Sequence, residues 1–209
     1  MVVDIDRALQ NSEPRSGGVL AEINDELGQL ADKVGPSLVQ VQAGRRGAGA
    51  GVVVHEAGLV ITNAHVARSK RLQVVDWQGN KRPAMVRAWH GSLDLAALTL
   101  ESGELPPLAL ANSRNLQPGN WVLAMGHPFG VSVGATAGVV IGVGRHLPEA
   151  PTGGHDWLAM SLHLRPGHSG GPVVDAAGQL VGVNARMAGL EVGLAIPSHL
   201  ISQFLKEAF

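Results

Sequence analysis

Three residues of this chain, His65, Asp94 and Ser169, have the types needed to activate a hydroxyl for attack on a carbonyl carbon. Ser169 stands in Gly167-His168-Ser169-Gly170-Gly171-Pro172, where small residues let the backbone turn tightly and leave the hydroxyl uncrowded. A serine hydroxyl is a weak nucleophile; it needs a base, and the base needs an orienting group. Thr62-Asn63-Ala64-His65-Val66 offers the base, and Leu93-Asp94-Leu95-Ala96-Ala97-Leu98 offers a carboxylate in an apolar run. An aspartate there stays ionised only if a donor meets it, and the His65 ring N–H is the natural donor. The amides of Gly167 and Ser169 are expected to converge beside the hydroxyl as an oxyanion hole.

Short strand-forming runs must position these residues. Ser37–Val41, Gly51–His55, Leu59–Asn63, Leu72–Trp77, Pro83–Trp89 and Leu95–Glu101 are separated by turn signals such as Gln78-Gly79-Asn80. Six strands at this spacing suggest an antiparallel barrel over 37–101. A connector over 102–119, with Pro106-Pro107 and Pro118, reads as a crossing to a second unit over 120–197. There the runs are Asn120–Met125, Val133–His146, Trp157–Leu164, Pro172–Asp175, Gln179–Met187 and Glu191–Ile196. The base and its orienter therefore fall in the first unit, the nucleophile and oxyanion amides in the second. The site is expected in the cleft between them.

Residues 1–17 read as a loose leader. Over 18–36, Leu20, Ile23, Leu27, Leu30 and Val34 recur at helical steps, and Gly35-Pro36 ends the pattern. This predicts a helix packed on the barrel. Residues 198–209 predict a second helix, with Leu200, Ile201, Phe204, Leu205 and Ala208 on one face and Ser198 as N-cap. Gly47-Ala48-Gly49-Ala50-Gly51 precedes a Val-rich strand rather than a helix, so it reads as a close backbone approach and not a dinucleotide loop.

Composition narrows the function classes. The 209 residues are 45% hydrophobic, and no apolar run reaches the roughly 20 residues of a membrane span. A formal charge of −1 and 3% aromatics, with no Tyr, argue against nucleic acid as a partner. With no Cys, disulfides, thiolate metal sites and cysteine nucleophiles are excluded. No cofactor is called for and no metal site is expected. His155, His163 and His168 are set aside as a zinc set because Pro166-Gly167 kinks the chain between two of them. His55, His90, His127, His146, His155 and His199 read as surface or packing residues.

The stretches 47–66, 93–100, 116–130, 167–185 and 193–205 together resemble the HtrA/Deg family of trypsin-like serine proteases, and the order His65, Asp94, Ser169 is the chymotrypsin-type order. The resemblance implies an all-β fold of two six-stranded antiparallel β-barrels with an N-terminal and a C-terminal helix. It implies a serine endopeptidase acting on unfolded or flexible polypeptide, plausibly in protein quality control. By position against the family, a specificity pocket is expected from His163, Leu164, Asn184, Ala185, Arg186, Gly193, Leu194 and Ala195. None supplies a carboxylate, so a small or medium aliphatic side chain is expected before the scissile bond rather than Lys or Arg.

The chain departs from the family pattern at His168, where Asn is usual, and at Ser161, where Asp is usual. His168 is expected to point away from the attacked carbonyl; Ser161 bears on cleft or activation-loop contacts. Gln42 leads almost directly to Gly47, without the long regulatory loop of some members. Family trimers lock through N-terminal aromatics, yet none precedes Trp77, which leaves a homo-oligomer open. The sequence ends after its second helix, where family members typically continue into a PDZ domain. Its N-terminus lacks a signal-peptide layout. The family suggests the bacterial cell envelope or periplasm, and the bare sequence the cytoplasm or a removed export segment. Two alternatives remain: a resting peptide-binding or chaperone module on the same fold, and an esterase, whose GxSxG elbow is absent.

Overall fold

Val-, Leu-, Ile- and Ala-rich runs cut by Gly- and Asn-containing turns fold into twelve strands in two closed antiparallel barrels. The computed structural model describes residues 18–42, 48–69, 71–101, 104–147, 150–151 and 154–209. The leader 1–17 and the stretch between Gln42 and Ala48, Gly47 included, lie outside the described residues. The first barrel comprises β1 (Leu38–Gln42), β2 (Ala48–His55), β3 (Leu59–Thr62), β4 (Arg71–Val75), β5 (Lys81–His90) and β6 (Leu95–Leu100), closed in the order β1-β2-β3-β6-β5-β4. The second comprises β7 (Trp121–Gly126), β8 (Gly134–Gly144), β9 (Trp157–Ser161), β10 (Pro172–Asp175), β11 (Leu180–Ala188) and β12 (Val192–Pro197), closed as β10-β11-β12-β9-β8-β7.

Alternation along the strands sorts apolar side chains into three clusters. Val39, Val41, Val53, Val60 and Leu98 fill the first barrel. Val122, Val140, Leu158, Met160 and Val181 fill the second. Their strand neighbours face outward into a third cluster, in which Leu38, Ile61 and Leu95 meet Leu123, Met125 and Ile196. That shared core holds the barrels together in close packing. The connector crosses over it: Leu108 N–H donates to Val53 O at 2.9 Å, and Leu180 N–H to Ala109 O at 2.8 Å.

Helix α1 (Val19–Val34) runs into a 3-10 turn at Gly35–Ser37. Only its C-terminal half docks, through Leu27, Leu30, Ala31 and Val34; Leu20, expected on the packed face, is exposed. Helix α2 (Ser198–Ala208) buries Ile201 and Phe204 against the shared core. Pro197, not Ser198, is its N-cap. The Ser198 hydroxyl instead donates to Ala111 O at 2.5 Å and accepts from Ser113 N–H at 3.1 Å, tying the connector to the helix. Among the described residues, no helix is long and apolar enough to cross a membrane.

Candidate active site

Asp94 is not a strand residue. It sits in the turn just before β6 with φ of 55°, a left-handed conformation uncommon outside glycine. The reversal turns the residue toward the segment after β3. Its carbonyl accepts Ala64 N–H and Asn63 Nδ2–H, each at 3.1 Å. Its carboxylate Oδ1 accepts His65 N–H at 2.9 Å, and Oδ2 lies 2.7 Å from His65 Nδ1. Two N–H groups therefore meet the charge, and the imidazole is fixed at backbone and ring. Asp94 is 17% and His65 41% exposed at the side chain, which leaves the imidazole open to the cleft.

The second barrel contributes the Ser169 loop. Pro166 and Gly167 occupy the middle of a turn closed by His168 N–H to Arg165 O at 3.0 Å. Gly167 has φ of +104°, as the third position of a type II turn requires. The amides of His168, Gly170 and Gly171 are taken up by Arg165 O, Asn184 O and His168 O. Among the described residues, those of Gly167 and Ser169 have no acceptor. Two unpartnered donors thus lie in the loop that carries the hydroxyl, and an oxyanion site is built from such donors.

Contact between barrels aligns the two halves. Ala50 N–H of β2 donates to Ser169 O at 2.8 Å, and Thr62 Oγ1 donates to Ala50 O at 2.6 Å, three residues before His65. A Cβ on Gly49 would lie 2.7 Å from Val66 Cγ2 and 3.0 Å from Ser169 O, so only glycine lets the His65 and Ser169 segments approach across β2. The Ser169 hydroxyl donates to Ala185 O at 3.2 Å. Among the described residues it makes no hydrogen bond to His65.

The residues expected around a specificity pocket lie on neighbouring segments: Asn184 pairs with Ala195 and Arg186 with Leu194 in the β11–β12 register. Ala185 is at the site through its carbonyl. Asn184 is fully buried, and its Nδ2 donates to Met125 O at 3.1 Å and Pro172 O at 3.2 Å, bracing the floor beneath the Ser169 loop. The Arg186 guanidinium lies 5.7 Å from the Trp157 ring centroid. Leu164, Leu194 and Ala195 are buried, Gly193 faces Leu162 and Leu164, and His163 is exposed. Ser161 is exposed at the end of β9.

Two buried histidines lie beneath the loop. His168 Nδ1 is 3.2 Å from Arg165 N and 3.1 Å from Arg165 O, so one tautomer accepts from the amide and the other donates to the carbonyl. His127 N–H donates to Gly167 O at 3.0 Å. Among the described residues, His127 Nδ1 and His168 Nε2 are buried without a partner. Burial and the neighbouring His168 lower the His127 pKa to about 4. Burial also lowers that of His168; the hydrogen bond to Arg165 opposes this, while Arg165 and His163 add to it. His127 is therefore a packing residue, as expected, but one that touches the site.

His199 is drawn into a second Ser-His-Asp chain: Ser113 Oγ is 2.9 Å from its Nδ1, and Asp156 Oδ2 is 3.2 Å from its Nε2. Ser113 is fully buried, which closes it to substrate and makes this chain a clasp between connector, α2 and the segment before β9. Among the described residues, no three His, Asp or Glu side chains are grouped to hold a metal ion.

The profile of the trypsin-like peptidase domain family matches residues 49–183, which carries both the His65–Asp94 pair and the Ser169 loop. Human serine protease HTRA4 is 36% identical over 207 residues, covering 92% of this chain and 44% of its own. A Chlamydia pneumoniae protein named a probable periplasmic serine endoprotease, DegP-like, is 32% identical over 168 residues, covering 76% of this chain and 34% of its own. Xenopus tropicalis serine protease HTRA1 is 31% identical over 196 residues, covering 87% and 43%. The chain thus spans less than half the length of these relatives.

Proposed function

The chain belongs to the trypsin-like peptidase domain family, and on that premise we propose that it is a serine endopeptidase hydrolysing unfolded or flexible polypeptides. In this reading Ser169 attacks the scissile carbonyl, and His65 takes its proton and later delivers it to the leaving amine. Asp94 holds the imidazole in one tautomer and stabilises the imidazolium that forms. The free amides of Gly167 and Ser169 donate to the oxyanion. The observation that carries the reading is the 2.7 Å contact between His65 Nδ1 and Asp94 Oδ2.

The pocket residues carry no carboxylate, which supports a small or medium aliphatic residue before the scissile bond. The names of the HTRA and DegP-like relatives support a proteolytic role, and the latter's name a cell-envelope setting; cleavage of unfolded chains is the chemistry of a role in quality control. Casein digestion tests the activity. The parent degrades casein, and Ser169→Ala or His65→Ala lowers turnover by about 10⁴–10⁶. A Ser169→Ala protein digesting at the parent rate refutes the assignment. One observation favours a resting peptide-binding module instead: the Ser169 hydroxyl pairs with Ala185 O. That alternative requires casein to bind without being cut.

A further inference from the structure

Behind His65, the outer face of the first barrel carries an open groove of about 960 Å³. His65 and Asp94 are among its lining residues, so it adjoins the base and its orienter. Trp89 and Met85 of β5 line it together with Arg68 and with Arg71 of β4. Trp89 is 59% exposed, yet its indole is fixed, because Nε1–H reaches Ala64 O at 3.3 Å. Met85 pairs directly with Arg71 in the β4–β5 register, placing a thioether beside a guanidinium. Arg68 Nε–H donates to His65 O at 2.8 Å, which holds that side chain along the base.

The charge of the lining is one-sided. Among the described residues lining it, the only carboxylate is Asp94, and both of that group's oxygens are engaged by His65. Arg71 has no hydrogen-bond or ion-pair partner among the described residues. The groove therefore offers two guanidinium groups beside a rigid aromatic and a pliable apolar surface. A chain segment with a carboxylate next to a bulky apolar side chain complements it on both counts. We propose that this groove is a substrate subsite for acidic, apolar-flanked segments of the polypeptide being cleaved, with Arg71 and Trp89 as its specificity-determining residues. The proposal rests on the endopeptidase reading for what the bound segment is, but binding itself needs no turnover.

The test uses the full chain carrying Ser169→Ala and two short fluorescein-labelled flexible peptides, alike except that Asp-Asp-Leu in one is Asn-Asn-Leu in the other. The acidic peptide is expected to bind about 5-fold more tightly at low salt, an advantage lost in Arg71→Glu and in half-molar salt. Trp89→Phe, which keeps an aromatic side chain but loses the indole N–H and part of the apolar area, is expected to weaken both peptides about 2-fold. Equal affinity for the two peptides overturns the proposal. So does a change in oligomeric state on Arg71→Glu without a change in peptide selectivity, which would make the groove a contact between copies. Fluorophosphonate labelling of the parent separates the two readings. Labelling with no acidic preference overturns the subsite alone; acidic preference without labelling supports the subsite and overturns the endopeptidase.

Discussion

Asp94 grips His65 twice, with Oδ2 on ring Nδ1 at 2.7 Å and Oδ1 on the backbone amide at 2.9 Å. Asp94→Asn preserves the shape but must set a donor against one of two donors. The imidazole then loses its enforced tautomer, and kcat is expected to fall by about 10³–10⁴ with little change in KM. Steady-state kinetics on a cleavable peptide checks this; a loss confined to KM would contradict it.

Gly167 is held at φ +104°, and a Cβ there would run into the carbonyl of His127. Gly167→Ala therefore has to reshape the turn and redirect the amide at its centre. The expected loss is about 10²–10³ in kcat, with a parallel loss of affinity for a peptide aldehyde, whose adduct needs the same amide. Unchanged aldehyde affinity would show that this amide does not serve the oxyanion.

The buried histidines set a pH dependence of stability. His127 has a folded pKa of about 4, against about 6.5 for an ordinary histidine, so below pH 6.5 the unfolded chain binds more protons than the folded one. Stability is expected to fall as the pH drops from about 6.5 to about 4, by about 3 kcal/mol from this residue, and then to level off for it. His168, shifted the same way, adds to the loss. Urea unfolding of the parent and of His127→Gln between pH 7 and pH 5 reads this out, with a flatter profile expected for the variant. Asp76 titrates in a lower range. Burial opposes its charge, but hydrogen bonds from Asn80, Arg82 and Gln78 prevail and hold its carboxyl below the usual value.

Ser198 joins α2 to the connector through two hydrogen bonds, at 2.5 Å to Ala111 O and 3.1 Å from Ser113 N. Ser198→Ala leaves both backbone groups unpaired in a buried setting, at a cost of about 1–3 kcal/mol. Thermal unfolding is expected to show a lower Tm while the kcat of the remaining folded enzyme stays at the parent value.

The barrels were legible in the sequence because strand alternation and turn residues are local signals, and two barrels follow from two sets of six. The triad letters were legible because their flanking stretches are distinctive. Nothing in the apolar run Leu93–Leu98 announces a left-handed turn at Asp94; the hydrogen bonds from Ala64 and Asn63 that hold it there come from a distant segment. The same holds for His127 and His168, which pack together only once β7 and the Ser169 loop have folded. Asn184 was placed by the family resemblance alone; that its side chain is buried and braces Met125 O and Pro172 O depends on β7 and β10, which are distant in sequence. Leu20 continued a helical stripe that the barrel is too short to cover. The groove joins residues of β4, β5 and the segment after His65, and no single stretch of sequence encodes it.

Labelling by a fluorophosphonate, with the adduct mapped by mass spectrometry, tests the central claim most directly, because it requires the imidazole to activate one particular hydroxyl. The account predicts a single stoichiometric adduct on Ser169 that is abolished in His65→Ala. An unmodified Ser169, or an adduct forming equally fast without His65, would contradict it.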